Sequence, residues 1–230
     1  MFFTNYFNSL DATQMENYHK SVFMNMEGEV AERARASYYK QTLRLMGDNV
    51  KIGRSVTIVN PQFISIGNNV TINDGCTLIA RGSLGITISD GVSLMHRVYL
   101  DTESAETGYI HIGKEVYIGT GCLLHGHQGL EIGDMTLLAQ NITITPYSHY
   151  FDDCDKLIRD QGGNTRKVII GKDCYIGMSC CVLYGADIED GSVVGSGSTV
   201  VHTIPPYSLA VGTPAKVIRK RGQKKESTQE

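Results

Sequence analysis

The residues best placed to do chemistry are histidines. The chain has seven, and His149 differs from the others in its setting. It closes the run Asn141 to His149 and stands just before the longest stretch that lacks the chain's repeat. An ordinary imidazole, with a pKa of about 6.5, is mostly neutral near pH 7 and can take a proton from a hydroxyl. An alcohol is too weak an acid to ionise alone near neutrality, so a hydroxyl nucleophile needs that help. No covalent enzyme intermediate is required when both substrates are held together. A rigid coil would aim His149, and the segment after it would cover it. His125 and His127 flank Gly126 about twenty residues, or one coil, earlier, as candidates to line a pocket beside His149. His19 lies in a helical region, and His96 and His111 have no chemical neighbour in the sequence. The six cysteines do not form paired zinc-ligand spacings, so no metal is expected.

The elements that position these side chains come from a repeat of six. From Ile170 the blocks open at Ile170, Ile176, Val182, Ile188, Val194 and Val200, often with Gly next and a small residue or Val at the fifth place. The same pattern marks Ile52, Ile66, Ile112, Ile118 and Ile132. Period six fits neither a helix nor an alternating strand. It fits an all-β solenoid: three short strands make one triangular coil of about eighteen residues, aliphatics point inward, and coils stack about 4.8 Å apart. Coil starts at Ile88, Ile112, Ile132, Ile170 and Ile188 lie 24, 20, 38 and 18 residues apart. Excursions of about 6, 2, 20 and 0 residues remain once a coil of about eighteen is subtracted. The largest, near 150–167, should protrude as a loop, and loops leaving a regular scaffold usually carry function. The acidic, polar stretch Asp101 to Tyr109 is a smaller one. The expected plan is a helical segment over 1–47, about seven coils over 48–206, and a closing segment with a polar, frayed tail over 207–230. Within the first segment, Asp11 to about Met46 reads as helix. Met15, Tyr18, Val22, Met26 and Val30 would share a face, as a wall of the acceptor pocket, a subunit contact or a cap over the open end.

Composition sets the outer limits. Twenty-one basic and 24 acidic side chains give a net charge of −3, with no basic surplus to indicate nucleic acid. No run approaches the roughly 18–20 apolar residues of a membrane span. Met1 to Tyr6 lacks the marks of a signal peptide, so a cytoplasmic location is expected. Cys76, Cys122, Cys174 and Cys180 each fall four places after an isoleucine, where a reduced thiol serves as a small hydrophobe.

Two further segments carry a family resemblance. The ending Ile204-Pro205-Pro206 through Gly212-Thr213-Pro214-Ala215-Lys216-Val217-Ile218-Arg219 resembles the closing motif of the hexapeptide-repeat acyltransferases, in the maltose/galactoside and polysaccharide O-acetyltransferase branch. Asn141 to His149 resembles that family's catalytic-histidine segment. The resemblance implies a left-handed parallel β-helix, although the six-residue period does not set the hand. It also implies a homotrimer with sites between subunits, acetyl-CoA as donor, and a sugar or polysaccharide hydroxyl as acceptor. It makes His149 the general base. It places Gly177 and Ser196 beside the donor's pantetheine arm, and Lys216 and Arg219 at its phosphates. Tyr175 stands where relatives often carry Trp, as an aromatic wall for the acceptor. Met178 and His202 replace residues that relatives use for polar donor contacts. Two other chemistries use solenoids that resemble this one. One is N-acetylation of a nucleotide-linked amino sugar. The other is γ-type carbonic anhydrase, whose three-histidine spacing His125, His127 and His149 do not match.

Overall fold

A computed structural model of the chain describes residues 11–223. The sequence readings of Met1 to Tyr6 and of the end of the polar tail lie outside the described residues. Three parallel sheets wrap a single core, one short strand per coil in each. The first coil supplies Leu45–Met46, Lys51–Ile52 and Thr57–Val59 to the first, second and third sheets. Among the described residues the third sheet has seven strands, one for each complete coil. Ile204 and Ser208–Gly212 begin another coil.

The first sheet shows why a six-residue block folds this way. Ile66, Ile88, Ile112, Ile132, Ile170, Ile188 and Ile204 stand in one register, coil on coil. Each is buried. They form the ladder expected from the coil starts, and it makes a core no single coil could bury. Where Gly follows the aliphatic, at Gly67, Gly113, Gly133 and Gly171, it serves close approach. A Cβ on Gly171 would lie 2.5 Å from the backbone nitrogen of Asp190 in the next coil, whose Oδ1 accepts from Lys172 N at 2.8 Å. Cys76, Cys122, Cys174 and Cys180 are buried at the corners as expected. Burial pushes the Cys76 and Cys122 thiols up to about 11, so they remain protonated.

The N-terminal segment differs from the single helix expected. Helix α1 (Ala12–Asn25) starts in a capping box of Asp11 and Gln14, and helix α2 (Glu29–Thr42) starts after Gly28, whose φ is 93°. Arg35 holds the break. It is fully buried, and its guanidinium donates to the carbonyls of Phe23 (2.8 Å), Met26 (2.9 Å) and Ile52 (2.8 Å). The expected shared face is also corrected: Met26 and Val30 are exposed, and the inward residues include Met24, Ala31, Tyr39 and Leu43. Tyr39 donates to Val56 O at 3.2 Å. The helices therefore cap the first coil, one of the roles expected for this segment, and shield its open strand edges.

The long excursions, 80–84, 102–108 and 145–167, all leave from the edge where the third sheet turns into the first. The edge between the second and third sheets turns tightly in each coil.

Candidate active site

The segment expected to protrude as a loop is built on a hairpin. Tyr147–His149 pairs antiparallel with Gly163–Thr165, with Tyr147 opposite Thr165 and His149 opposite Gly163. His149 therefore sits on the hairpin's own first strand, just beyond the last coil strand, Thr143–Ile144. The return strand is tied to the body. Asn164 Nδ2 donates to Tyr184 Oη at 2.6 Å, Arg166 pairs with Asp187 at 3.0 Å, and Lys167 pairs with Glu131 at 3.1 Å. Gln161 braces the exposed tip, its Nε2 donating to Asp153 O and Lys156 O.

Rings line this edge from coil to coil. Tyr99 and His125 have centroids 6.2 Å apart, and His125 and His127 are 5.9 Å apart. His127 stacks on Tyr147 at 5.0 Å and 22°, and Tyr147 meets His149 edge-on at 4.7 Å and 85°. His125 and His127 thus stand with His149, on the preceding coil, as expected. Tyr147 Oη lies 3.2 Å from His149 Nδ1, and His149 is exposed. Burial pushes the His127 imidazole down, outweighing the opposing pull of Glu103, so His127 is neutral near pH 7. Its Nδ1 is buried without a hydrogen-bond partner among the described residues.

Sequence reasoning missed the polar floor of this edge. Asp101 is fully buried and takes a two-pronged contact from Arg81 at 2.8 and 2.6 Å. It also accepts from Tyr99 Oη (3.1 Å) and Glu103 N (2.8 Å). Burial pushes the Asp101 carboxyl up, but these donors outweigh it and hold the group below the usual carboxylate range. Glu103 Oε1 lies 2.7 Å from His125 Nδ1, a close contact outside good hydrogen-bond alignment. Thr107 Oγ1 donates to His127 O at 2.9 Å. The signal was present: an acidic excursion one coil before a His-Gly-His corner, in a solenoid whose excursions share an edge.

The residues assigned to the donor lie elsewhere. Gly177 and Ser196 occupy successive turns of the edge between the second and third sheets. A Cβ on Gly177 would lie 2.5 Å from Ser196 N, and Ser196 is exposed. Tyr175 projects from the second sheet between Leu137 and Val193, beside Gly177 and away from His125 and His127. In the closing strand Ala215–Lys220 a bulge puts Lys216 opposite Val211 and Arg219 opposite Leu209. Both cations therefore face outward, but at about 3.3 Å per residue they stand roughly 10 Å apart along the strand. Lys216 is at the Ser196 end. Arg219 is at the far end, with Nη1 donating to Lys220 O and Gln223 O. Within one chain the third sheet separates this edge from the histidine edge, and the two sets do not meet. Among the described residues no three His, Cys, Asp or Glu side chains converge as a metal-ligand set, and no helix is long and apolar enough to cross a membrane.

Residues 167–201 match the family described as hexapeptide repeat of succinyl-transferase, and the match fits a left-handed coil. The chain is 39% identical over 121 residues to a probable acetyltransferase of Mycobacterium tuberculosis, covering 53% of this chain and 40% of that one. It is 33% identical over 110 residues to the galactoside O-acetyltransferase of Escherichia coli, covering 48% and 53%. The chain thus spans about half the length of these curated relatives. A solved structure of a variant of AntD, an N-acyltransferase from Bacillus cereus in complex with dTDP and coenzyme A, superposes with a TM-score of 0.52 at 26% identity. That likeness covers 80% of this chain and 88% of AntD. By its hexad spacing, its three-sided parallel coil and these likenesses, the chain is similar to the hexapeptide-repeat acyltransferases and shares their fold.

Proposed function

We propose that this chain is an acetyl-CoA-dependent O-acetyltransferase whose acceptor is a hydroxyl of a sugar or polysaccharide. The observation that carries the reading is the presentation of an exposed His149 imidazole beside His127 and Tyr147, on the edge that collects the excursions. The names of the two curated relatives support acetyl transfer. Acetyl-CoA supplies its acyl group as a thioester, already activated toward an oxygen nucleophile. His149 Nε2 takes the hydroxyl proton as the new C–O bond forms, then returns it to the sulfur as the C–S bond breaks. His125, His127 and Glu103 offer hydrogen-bonding groups for neighbouring hydroxyls.

The Gly177–Ser196 edge fits a narrow neutral arm, because small residues let the backbone be approached closely. Lys216 fits a phosphate at its end, and Arg219 stands further off. Since one chain holds the two edges apart, the complete site needs the histidine edge of one copy against the Ser196 edge of the next, as in a homotrimer. The outer side of the second sheet supports a contact between copies: after Lys51, Thr71 and Ser93 it becomes Tyr117, Leu137, Tyr175 and Val193. Light scattering that gives a monomer mass for an active enzyme contradicts this assembly.

The likeness to AntD favours a second reading on the same scaffold, N-acylation of a nucleotide-linked amino sugar. Thiol release from acetyl-CoA against free, nucleotide-linked and polymeric sugars, with hydroxyl and amine acceptors in parallel, separates the two. The proposal expects release with hydroxyl acceptors. Release with amino sugars alone overturns it in favour of the second reading.

A further inference from the structure

We infer that Tyr147 is the positioning residue for His149, fixing both the orientation of its imidazole and which ring nitrogen carries the proton. The inference rests on His149 as the base. Tyr147 and His149 are two residues apart on an extended strand, so their side chains share one side of the hairpin. Among the described residues, Tyr147 is the one side chain that bonds the His149 ring, through Oη and Nδ1 at 3.2 Å. The edge-on contact of the rings sets the tilt of the imidazole.

Tyr147 is itself held on two further sides. One face of its ring stacks on His127, which burial keeps neutral and whose backbone carbonyl is fixed by Thr107. Its phenol end lies over Gly163, where a Cβ would overlap both the ring and the hydroxyl oxygen. The exposed His149 thus leans on a partner that cannot turn freely.

The chemistry selects the direction of the bond. Once His149 has taken a proton, both ring nitrogens are donors, and a partner at Nδ1 must accept. The tautomer that keeps the Tyr147 contact before and after proton transfer therefore has Nδ1–H donating to the phenol oxygen. That leaves the lone pair on Nε2, the nitrogen turned away from Tyr147. The opposite tautomer would put a hydrogen on Nε2 and remove the base.

The test does not depend on knowing the acceptor. Long-range proton–nitrogen NMR of the full-length wild-type chain, with the imidazole neutral, is expected to show His149 with Nδ1 protonated. Tyr147→Phe keeps the ring and its stacking but removes the oxygen, and is expected to give a mixture of tautomers with unchanged dispersion elsewhere in the spectrum. A wild-type ring protonated on Nε2, or a tautomer indifferent to Tyr147→Phe, overturns the inference while leaving His149 as base. The base is tested separately, by thiol release from acetyl-CoA with His149→Ala, and turnover retained there removes the base and the inference together.

Discussion

His149 and Gly163 face each other across a two-stranded antiparallel ribbon, at the point where a parallel solenoid releases its longest excursion. Gly163 leaves room for the Tyr147 phenol, and no left-handed backbone is needed there. In Gly163→Ala the new Cβ would overlap the ring and lie 2.6 Å from Ser148 O, so the ring must move and the strand must shift slightly. The expected outcome is a folded protein in which Tyr147 is displaced and turnover falls about 10-fold, the worth of a few tenths of an ångström at a reacting geometry. Steady-state kinetics beside a thermal melt check it; full turnover would mean that Tyr147 can move without consequence.

Arg35 satisfies three carbonyls that come from α1, the break after it and the first coil. Arg35→Met leaves them buried without a donor, at a cost of about 3 kcal/mol. The melting temperature is expected to fall by roughly 6–12 °C for a chain of this size. Turnover at low temperature should stay near wild type, because the helices cap the coil far from His149. Lost turnover in a folded variant would give the helical segment a part in the site.

Asp101 makes stability depend on pH, with a definite sign. Its carboxyl is held below the usual range in the folded chain, so its contribution is present above the unfolded value of about 3.9 and is lost as pH falls through the lower folded value. Asp101→Asn is therefore expected to be less stable than wild type at pH 7, by about 2 kcal/mol. The gap should narrow toward pH 3. Urea unfolding at the two pH values measures it, and a gap that widens in acid would reverse the assignment.

Lys216 and Arg219 are expected to separate. Lys216→Ala should raise the KM for acetyl-CoA about 3- to 10-fold with kcat unchanged, the pattern of lost uniform binding. Added salt should weaken donor binding in wild type more than in the variant. Arg219→Ala should have the smaller effect, since Arg219 stands off from Ser196 and is engaged with backbone carbonyls. A collapse of kcat with KM unchanged would show that Lys216 does not hold phosphate.

The solenoid was legible because its signal is one-dimensional: each block opens with an inward aliphatic, and register follows from counting. Ile88 to Ile188 could be placed on one ladder from spacing alone. The hairpin under His149 was not legible, because Tyr147–His149 and Gly163–Thr165 are too short and mixed to show alternation, and their pairing spans the loop between them. The two-helix cap was missed for a related reason. Gly28 reads as one tolerable breaker, whereas Arg35 fixes the turn through contacts distant in sequence. His149 was singled out by the resemblance of its segment and its place before the longest excursion, and His125 and His127 by their corner one coil earlier. Asp101, Glu103 and Arg81 were passed over because their importance comes from stacking three successive coils at one edge.

The central claim is that His149 removes the acceptor's proton. Comparing turnover of wild type and His149→Ala, on the acceptor selected by the thiol-release panel and at saturating acetyl-CoA, tests it most directly. The account predicts a kcat lower by about 10²–10⁴, the usual worth of a general base, with donor affinity nearly unchanged. A variant that turns over within a few-fold of wild type would contradict it.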